Sequence, residues 1–242
     1  GAATLTLGAA PAADIRLAAR RLDLDPPPTA ATAAAEPPSR RLPALLAGLV
    51  ERLPPGSGGM ATRLELADGA VGLGGGQIAD LRLDLLGRPG GFVVEHLGAH
   101  LPGDSRLDLS GRLRLDEAAT LIGRGEIASR APEVLAAWWV GEPAGEASLG
   151  PVALAGPFTL TATSFLGEDL TLTLAETTAR GRIERRADGV TRLALGADRL
   201  DGAALARLAR RFGLAGAMSR QAALGALEID FDVRAVALGA VT

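Results

Sequence analysis

The sequence contains no cysteine, lysine, asparagine or tyrosine, and aromatic residues occupy only 3% of its 242 positions. Without cysteine there is no disulfide, no thiolate nucleophile and no cysteine-based metal site, so either an oxidising or a reducing compartment is possible. The formal net charge of -3 at pH 7 is too close to neutral to indicate a nucleic-acid-binding face. Because 48% of the residues are nevertheless hydrophobic, the apolar surface must be aliphatic, mostly Leu, Ala and Val.

Long apolar runs are scarce as well. The longest, Val134–Gly141, is far short of the roughly 20 residues that a membrane-spanning helix requires. No charged segment followed by an apolar one opens the chain, so a secretory signal is not predicted. Thr4, Leu5, Thr6 and Leu7 already alternate near the start, which predicts a segment cut from a longer protein.

The residue types that catalysis needs are not grouped in a catalytic arrangement. His96 and His100 are the two histidines, and on a strand they share a face but lie more than about 10 Å apart. The serines lack a G-x-S-x-G context. Gly72–Gly76 precedes an alternating segment rather than a helix, which favours a tight turn over a phosphate loop. We therefore predict a protein that is not an enzyme and has no catalytic residue, metal or cofactor.

Three features each have two interpretations. Asp23 and Asp25 share a strand face and could chelate a cation, but a solvated face is favoured. The Trp138-Trp139 pair could mark a membrane interface or a partner surface, although docking onto the sheet edge is favoured. Arginine pairs could meet anionic lipid headgroups or keep a leucine-rich protein soluble. These pairs are Arg20-Arg21, Arg40-Arg41, Arg185-Arg186 and Arg210-Arg211.

The sequence does contain a strict alternation of apolar and charged residues. Within Asp104–Asp116, leucines and one glycine occupy every second position from Leu107 to Leu115, and charged residues and a serine fill the positions between them. A period of two places the leucines on one face of an extended strand and the charges on the other. The pattern recurs on both sides, with turn signals between the segments. The predicted fold class is mainly β, an extended antiparallel meander forming a twisted, groove-like sheet with a few short α-helices between repeat units.

Three segments have helical periodicity instead. Leu42–Leu53 carries a stripe of leucines and has Pro43 in its first turn. Ala131–Val140 has Ser129 as a possible cap and ends before a glycine. Ala203–Phe212 is the third predicted helix.

An internal repeat organises these elements. Arg21–Asp25, a helix and the strand Arg63–Leu66 recur as Arg199–Asp201, a helix and the strand Leu227–Phe231. Units of one sheet segment and one helix indicate a stacked or extended architecture. The chain is thus predicted to be a single β-rich segment of a longer repeat protein. Its parts are the end of one unit (1–25), a linker and helix (26–58), a complete repeat unit (59–201), and a helix with the start of the next unit (202–242).

The order of the short motifs resembles one known family. These motifs are Leu101–Gly103, Leu107–Leu115, Gly125–Ser129, a helix ending Trp138-Trp139-Val140-Gly141, Leu149–Phe158, Leu170–Leu174, Ala179–Ile183 and Asp198–Asp201. In this order the chain resembles the AsmA-like family of Gram-negative envelope proteins, which is related to the TamB-like and repeating β-groove proteins. The resemblance covers most of Arg20–Asp201, and its motifs describe a β-rich repeat rather than a site.

The resemblance implies an elongated, groove-shaped sheet with an apolar inner face. Members are typically anchored in the inner membrane by an N-terminal helix and project into the periplasm, so a periplasmic location is expected here, with the anchor outside this segment. They are implicated in outer-membrane biogenesis, lipid homeostasis and phospholipid transport. The expected partner is therefore a phospholipid, contacted through its acyl chains, and the family has no catalytic residues to carry over.

An apolar sheet face has to be covered by a second sheet, by helices or by a ligand. If lipid covers it, the candidate lining residues are Leu107, Leu109, Leu113, Leu115, Val152, Leu154, Phe158, Leu160, Leu170, Leu172 and Leu174. If two sheets close on each other instead, the segment is a structural or scaffolding β-sandwich with a dry core. The sequence leaves both possibilities open.

Overall fold

In the computed structural model, residues 2–6, 12–25, 36–42, 45, 48, 61–88, 90–115, 119–144, 148–213 and 227–237 are described. Their strands are β1 (Ala2–Thr6), β2 (Ala12–Ala19), β3 (Leu22–Asp23), β4 (Ala61–Leu73), β5 (Gly76–Arg88), β6 (Gly91–Leu101), β7 (Ser105–Leu115), β8 (Ala119–Ser129), β9 (Val152–Thr161), β10 (Phe165–Leu174), β11 (Thr177–Arg185), β12 (Thr191–Asp201) and β13 (Leu227–Ala237). Three helical segments accompany them: α1 (38–42, with 45 and 48 also helical), α2 (Pro132–Val140) and α3 (Gly202–Arg211).

The described strands all belong to one twisted, open sheet whose order follows the chain. From β4 to β12 each strand pairs antiparallel with the next. The predicted fold class, a mainly β extended meander with a few short helices, is confirmed. A closed sandwich of two separate sheets is not present in the described part of the chain.

Two joints in the sheet are parallel, which the sequence did not predict. β2 and its short continuation β3 pair parallel to β4, and β12 pairs parallel to β13. Parallel neighbours need a crossover, because the chain must return to the end at which it started. The crossovers contain α1 and α3, so both copies of the internal repeat use the same type of connection.

The helices differ from the sequence prediction mainly at their starts. The first helical segment begins at Pro38, which is fully buried, rather than at Leu42. Most of the predicted stripe and Pro43 lie outside the described residues. The predicted second helix is confirmed as α2, but its N-cap is Ala131 without a side-chain hydrogen bond, so the suggested cap Ser129 is wrong. In α3, the side chain of Asp201 caps the helix by accepting a hydrogen bond from the backbone N–H of Ala204 at 2.9 Å.

All three helices begin at or reach the same edge of the sheet. β4, β8 and β12 run in the same direction, because each is separated from the next by an even number of antiparallel steps. α2 follows β8 and α3 follows β12, so both begin at the edge where these strands end, and α2 contacts α3. The first helical segment reaches the same edge, where Pro38 packs against the turn at Gly74. We call this the helix edge and the other side the opposite edge.

The two faces of the sheet have different chemistry. The register aligns Leu107 of β7 with Ile127 of β8, and Ile127 with Leu154 of β9. Leu154 in turn pairs with Leu172 of β10. We call the side that carries this row the leucine face. The other side carries Arg112 and its neighbours on alternate positions, and we call it the charged face.

Glycines on the leucine face bring neighbouring strands unusually close. Gly111 of β7 pairs with Gly123 of β8, and a Cβ on either residue would overlap the backbone of the other strand. In β11, a Cβ on Gly181 would overlap the carbonyl oxygen of Ala194. Glycine inside a strand allows a tight bend and close backbone approach. These positions therefore allow the long sheet to bend across its middle strands.

Candidate functional site

The eleven candidate lining residues all lie on the leucine face. Leu107 pairs through Ile127 of β8 with Leu154 of β9, and Leu113 pairs through Leu121 with Leu160. The remaining candidates of β7 and β9 are each two positions from one of these leucines and therefore share their face: Leu109, Leu115, Val152 and Phe158. Leu154 pairs with Leu172, and Val152 pairs with Leu174. Alternation in the sequence therefore identified one continuous face across four strands.

The candidates differ sharply in exposure. Leu170, Leu172 and Leu174 are only 2%, 5% and 3% exposed. Leu172 and Leu174 belong to a core formed with α3, in which Leu205 and Leu208 pack on the sheet. Leu170 is buried differently, because its side chain lies over Gly156 and Gly167. These three side chains fill the interior of the protein and offer almost no accessible surface.

The other eight candidates are partly exposed. We call them the open strip: Leu107, Leu109, Leu113, Leu115, Val152, Leu154, Phe158 and Leu160. On one side the strip adjoins a core around Leu85, Phe92 and Val94 of β5 and β6, and on the other side it adjoins the α3 core. The strip is thus a half-buried aliphatic surface between two dry clusters.

The helix edge of the strip ends in two buried serines. Ser105 is 1% exposed and its hydroxyl lies 2.7 Å from that of Ser129, which is 6% exposed. Carbonyl oxygens of Pro102 and Gly103 accept hydrogen bonds from this pair at 2.8 to 3.2 Å. Because both hydroxyls have partners inside the fold, this end of the strip is closed by structural polar contacts.

The helix edge also accounts for two of the ambiguous sequence features. The carboxylate of Asp25 accepts hydrogen bonds from the backbone N–H groups of Gly74 and Gly75 and from Arg41, at 2.7 to 2.9 Å. Asp25 therefore fastens the β4–β5 turn. The indole of Trp138 donates to the carbonyl oxygen of Leu73 at 2.8 Å, so this tryptophan docks onto the sheet edge. The glycines form the tight turn that the sequence predicted, with φ of 61° and 74° at Gly74 and Gly75.

At the opposite edge the leucine face ends differently. Phe158 of β9 and Phe165 of β10 stack with ring centroids 6.3 Å apart. Phe165 pairs with Arg185, the last residue of β11, and Arg185 pairs with Thr191, the first residue of β12. These side chains share the leucine face, because Arg185 is two positions from Ile183 and Thr191 is two positions from buried Leu193. In the sequence, Arg185 forms a pair with Arg186, and this pairing does not show that Arg185 lies on the leucine face.

Charged residues elsewhere form surface ion pairs. Arg186 lies 3.8 Å from Asp188, and Arg182 bridges Glu168 and Glu184 at 3.1 and 3.2 Å. His96 and His100 are on the charged face beside Asp108 and Asp80, and all four side chains are exposed. Among the described residues, no three His, Asp or Glu side chains are arranged to hold a metal ion.

Comparisons with protein-family models, with curated proteins and with solved structures find no match. The AsmA-like resemblance therefore stays a prediction from sequence motifs. Within the described part of the chain, no helix combines the length and apolarity needed to cross a membrane.

Proposed function

We propose that this segment is a non-catalytic lipid-binding element that shields phospholipid acyl chains on the open strip. The observation that carries the proposal is the partly exposed aliphatic surface itself, which continues across β7, β8 and β9. A contiguous apolar surface on a protein marks an interaction site, whereas single apolar residues scattered over a surface are ordinary. An aliphatic strip without polar anchors suits a flexible hydrocarbon chain better than a rigid polar ligand.

The energetics favour such an occupant. An acyl chain that leaves a bilayer loses roughly 0.8 kcal/mol for each CH₂ group. A 16-carbon chain therefore forfeits on the order of 12 kcal/mol unless another apolar surface replaces the bilayer. Leucine, valine and phenylalanine side chains on one side of a sheet provide this cover without selecting a particular chain. A chain could then slide along the strip, because no hydrogen bond fixes it in place.

The biological setting in this proposal comes from the AsmA-like resemblance. In that setting the segment belongs to a periplasmic part of a protein anchored in the inner membrane through a region outside it. Its task is phospholipid transport for outer-membrane homeostasis. The alternative is a structural module of the cell envelope, and the dry core of Leu172 and Leu174 beneath α3 is the observation that favours it.

Photo-crosslinking tests the lipid proposal directly. A photoreactive amino acid is placed at Leu109 or Phe158 on the open strip, with Arg112 and Thr159 as matched positions on the charged face of the same strands. After irradiation with phospholipid vesicles, we expect lipid adducts from the two strip positions and few from the charged face. Equal labelling of both faces, or no lipid adduct at either strip position, would contradict the proposal and favour the structural module.

A further inference from the structure

The leucine face carries one arginine at its opposite edge. Arg185 is partly buried between Phe165 and Thr191, and within the described residues it has no ion pair or hydrogen bond from its side chain. Its neighbours Arg182 and Arg186 both have carboxylate partners. Arginines buried against apolar surface are normally paired or keep their charged end in water. Arg185 is therefore a cation held beside an aliphatic surface and available to an anion.

A second polar group lies beside it. Thr191 is 2% exposed, and in the described part of the chain its hydroxyl has no hydrogen-bond partner. Nearly all buried polar groups in native proteins are hydrogen-bonded, so a buried hydroxyl without a partner among the described residues is a place where a water molecule or a ligand group can bind. Because Thr191 is directly opposite Arg185 in the register, their Cβ atoms are about 5 Å apart. Guanidinium and hydroxyl can thus reach the same group.

The residues around Arg185 and Thr191 indicate what kind of molecule carries the group that these two side chains bind. The planar fork of arginine matches the oxygens of a phosphate, and a hydroxyl adds one more donor. On the other side of Phe165, Phe158 and Leu160 begin the open strip. A ligand that fits both the Arg185–Thr191 pair and the open strip has an anionic phosphate at one end and a hydrocarbon chain at the other.

We propose that Arg185 and Thr191 bind the phosphate of an anionic amphiphile whose chain follows Phe158 and Leu160 onto the open strip. This inference rests on the proposed function and adds to it a fixed polarity, with the headgroup at the opposite edge and the chain directed toward the middle of the sheet. The location suits a charged headgroup, because Arg185 ends β11 and Thr191 begins β12, next to the exposed turn at Asp188.

Calorimetric titration of the whole chain with two short-chain lipids tests the assignment. The probes are dioctanoyl phosphatidylglycerol, which has the phosphate, and dioctanoylglycerol, which lacks it. We expect Arg185→Gln to weaken binding of the phosphatidylglycerol about tenfold, equivalent to ~1.4 kcal/mol, and to leave binding of dioctanoylglycerol unchanged. Arg180→Gln, on the charged face of the same strand, is the matched control and should change neither.

Thr191→Val gives an independent readout. It removes the hydroxyl but keeps the branched shape, so we expect weaker phosphatidylglycerol binding together with an unchanged or higher melting temperature. A purely structural hydroxyl would give a lower melting temperature instead. If Arg185→Gln does not fold, Arg185→Lys replaces it. Lysine keeps the charge but loses the fork, and we expect phosphatidylglycerol binding that is weaker than that of the wild type.

The outcomes separate the two proposals. Wild-type protein that binds neither lipid overturns the proposed function. Wild-type protein that binds both lipids, with Arg185→Gln binding phosphatidylglycerol equally well, overturns the headgroup site alone. Inorganic phosphate that displaces phosphatidylglycerol at concentrations equal to the lipid would assign the site to the free anion and also overturn the inference.

Discussion

The indole nitrogen of Trp138 donates a 2.8 Å hydrogen bond to the carbonyl oxygen of Leu73 at the far end of β4. The two residues are 65 positions apart in the chain, so this contact fixes α2 onto the turn between β4 and β5. Trp138 also fills the space above Gly76, where a Cβ would collide with its ring. The glycine turn and the tryptophan therefore form one unit at the helix edge.

Replacing Trp138 by phenylalanine should lower the free energy of unfolding by ~1–3 kcal/mol, because a partly buried carbonyl loses its donor and the smaller ring leaves space at Gly76. Chemical denaturation measures the change. Trp139→Phe is the control, since the indole of Trp139 makes no hydrogen bond within the described residues. Equal losses for both variants would show that the hydrogen bond to Leu73 contributes little.

Asp25→Ala should cost ~2–4 kcal/mol of stability, because two backbone N–H groups and the Arg41 guanidinium lose a charged acceptor together. The comparison is Arg130→Gln, which removes a 3.0 Å pair with Asp104 in which the arginine is 84% exposed. An exposed pair of this kind contributes less than about 1 kcal/mol. Urea unfolding of both variants checks the difference, and a small effect at Asp25 would contradict a structural role.

Gly181→Ala should destabilise the sheet by ~1–3 kcal/mol, because the added methyl group overlaps the carbonyl oxygen of Ala194 and forces β11 and β12 apart. Gly48→Ala is the opposite case. Gly48 is helical, and no atom of the described residues lies within 4 Å of the place where its Cβ would be, so alanine there should stabilise the chain by up to about 1 kcal/mol. Thermal unfolding distinguishes the two, and equal melting temperatures would exclude the close strand approach at Gly181.

Leucine truncation distinguishes an accessible strip from a closed core. Leu172→Ala removes a side chain that is 5% exposed and should cost ~2–5 kcal/mol. Leu160→Ala, on the open strip, should cost only ~1 kcal/mol, because its side chain is already partly in water and leaves no closed cavity. Denaturation curves give both values. A loss at Leu160 as large as that at Leu172 would place the strip inside a dry core and favour the scaffold.

Alternation predicted the faces of the sheet well because the period of two is a local property of extended chain. Leu107 and Leu172 therefore received the same assignment to one face, and both are on it. Alternation could not separate the partly exposed Leu107 from the buried Leu172. That difference comes from α3, whose core includes Leu172 but not Leu107, and contact with a helix that is distant in the sequence leaves no mark on the strand itself.

The relative direction of neighbouring strands could not be predicted from alternation either, because the same alternating residues suit parallel and antiparallel pairing. The parallel joint from β12 to β13 depends on the crossover through α3, and only the position of that helix in the sequence hints at it. Arg185 was missed for a simpler reason. Its neighbour Arg186 suggested a surface pair, whereas counting by twos from Ile183 places Arg185 on the leucine face. The suggested cap Ser129 failed because the strand register brings it against Ser105 instead.

The two parallel joints have a consequence for growth of the sheet. The strands from β4 to β12 make an odd number, so the chain enters and leaves this group in the same direction. A further group with an odd number of strands, of which β13 is the first, would again send its helix to the same edge. An even number would have reversed the direction and moved the next helix across the sheet. An odd number of strands in each unit thus allows further units to be added to the sheet while every crossover helix stays at the same edge.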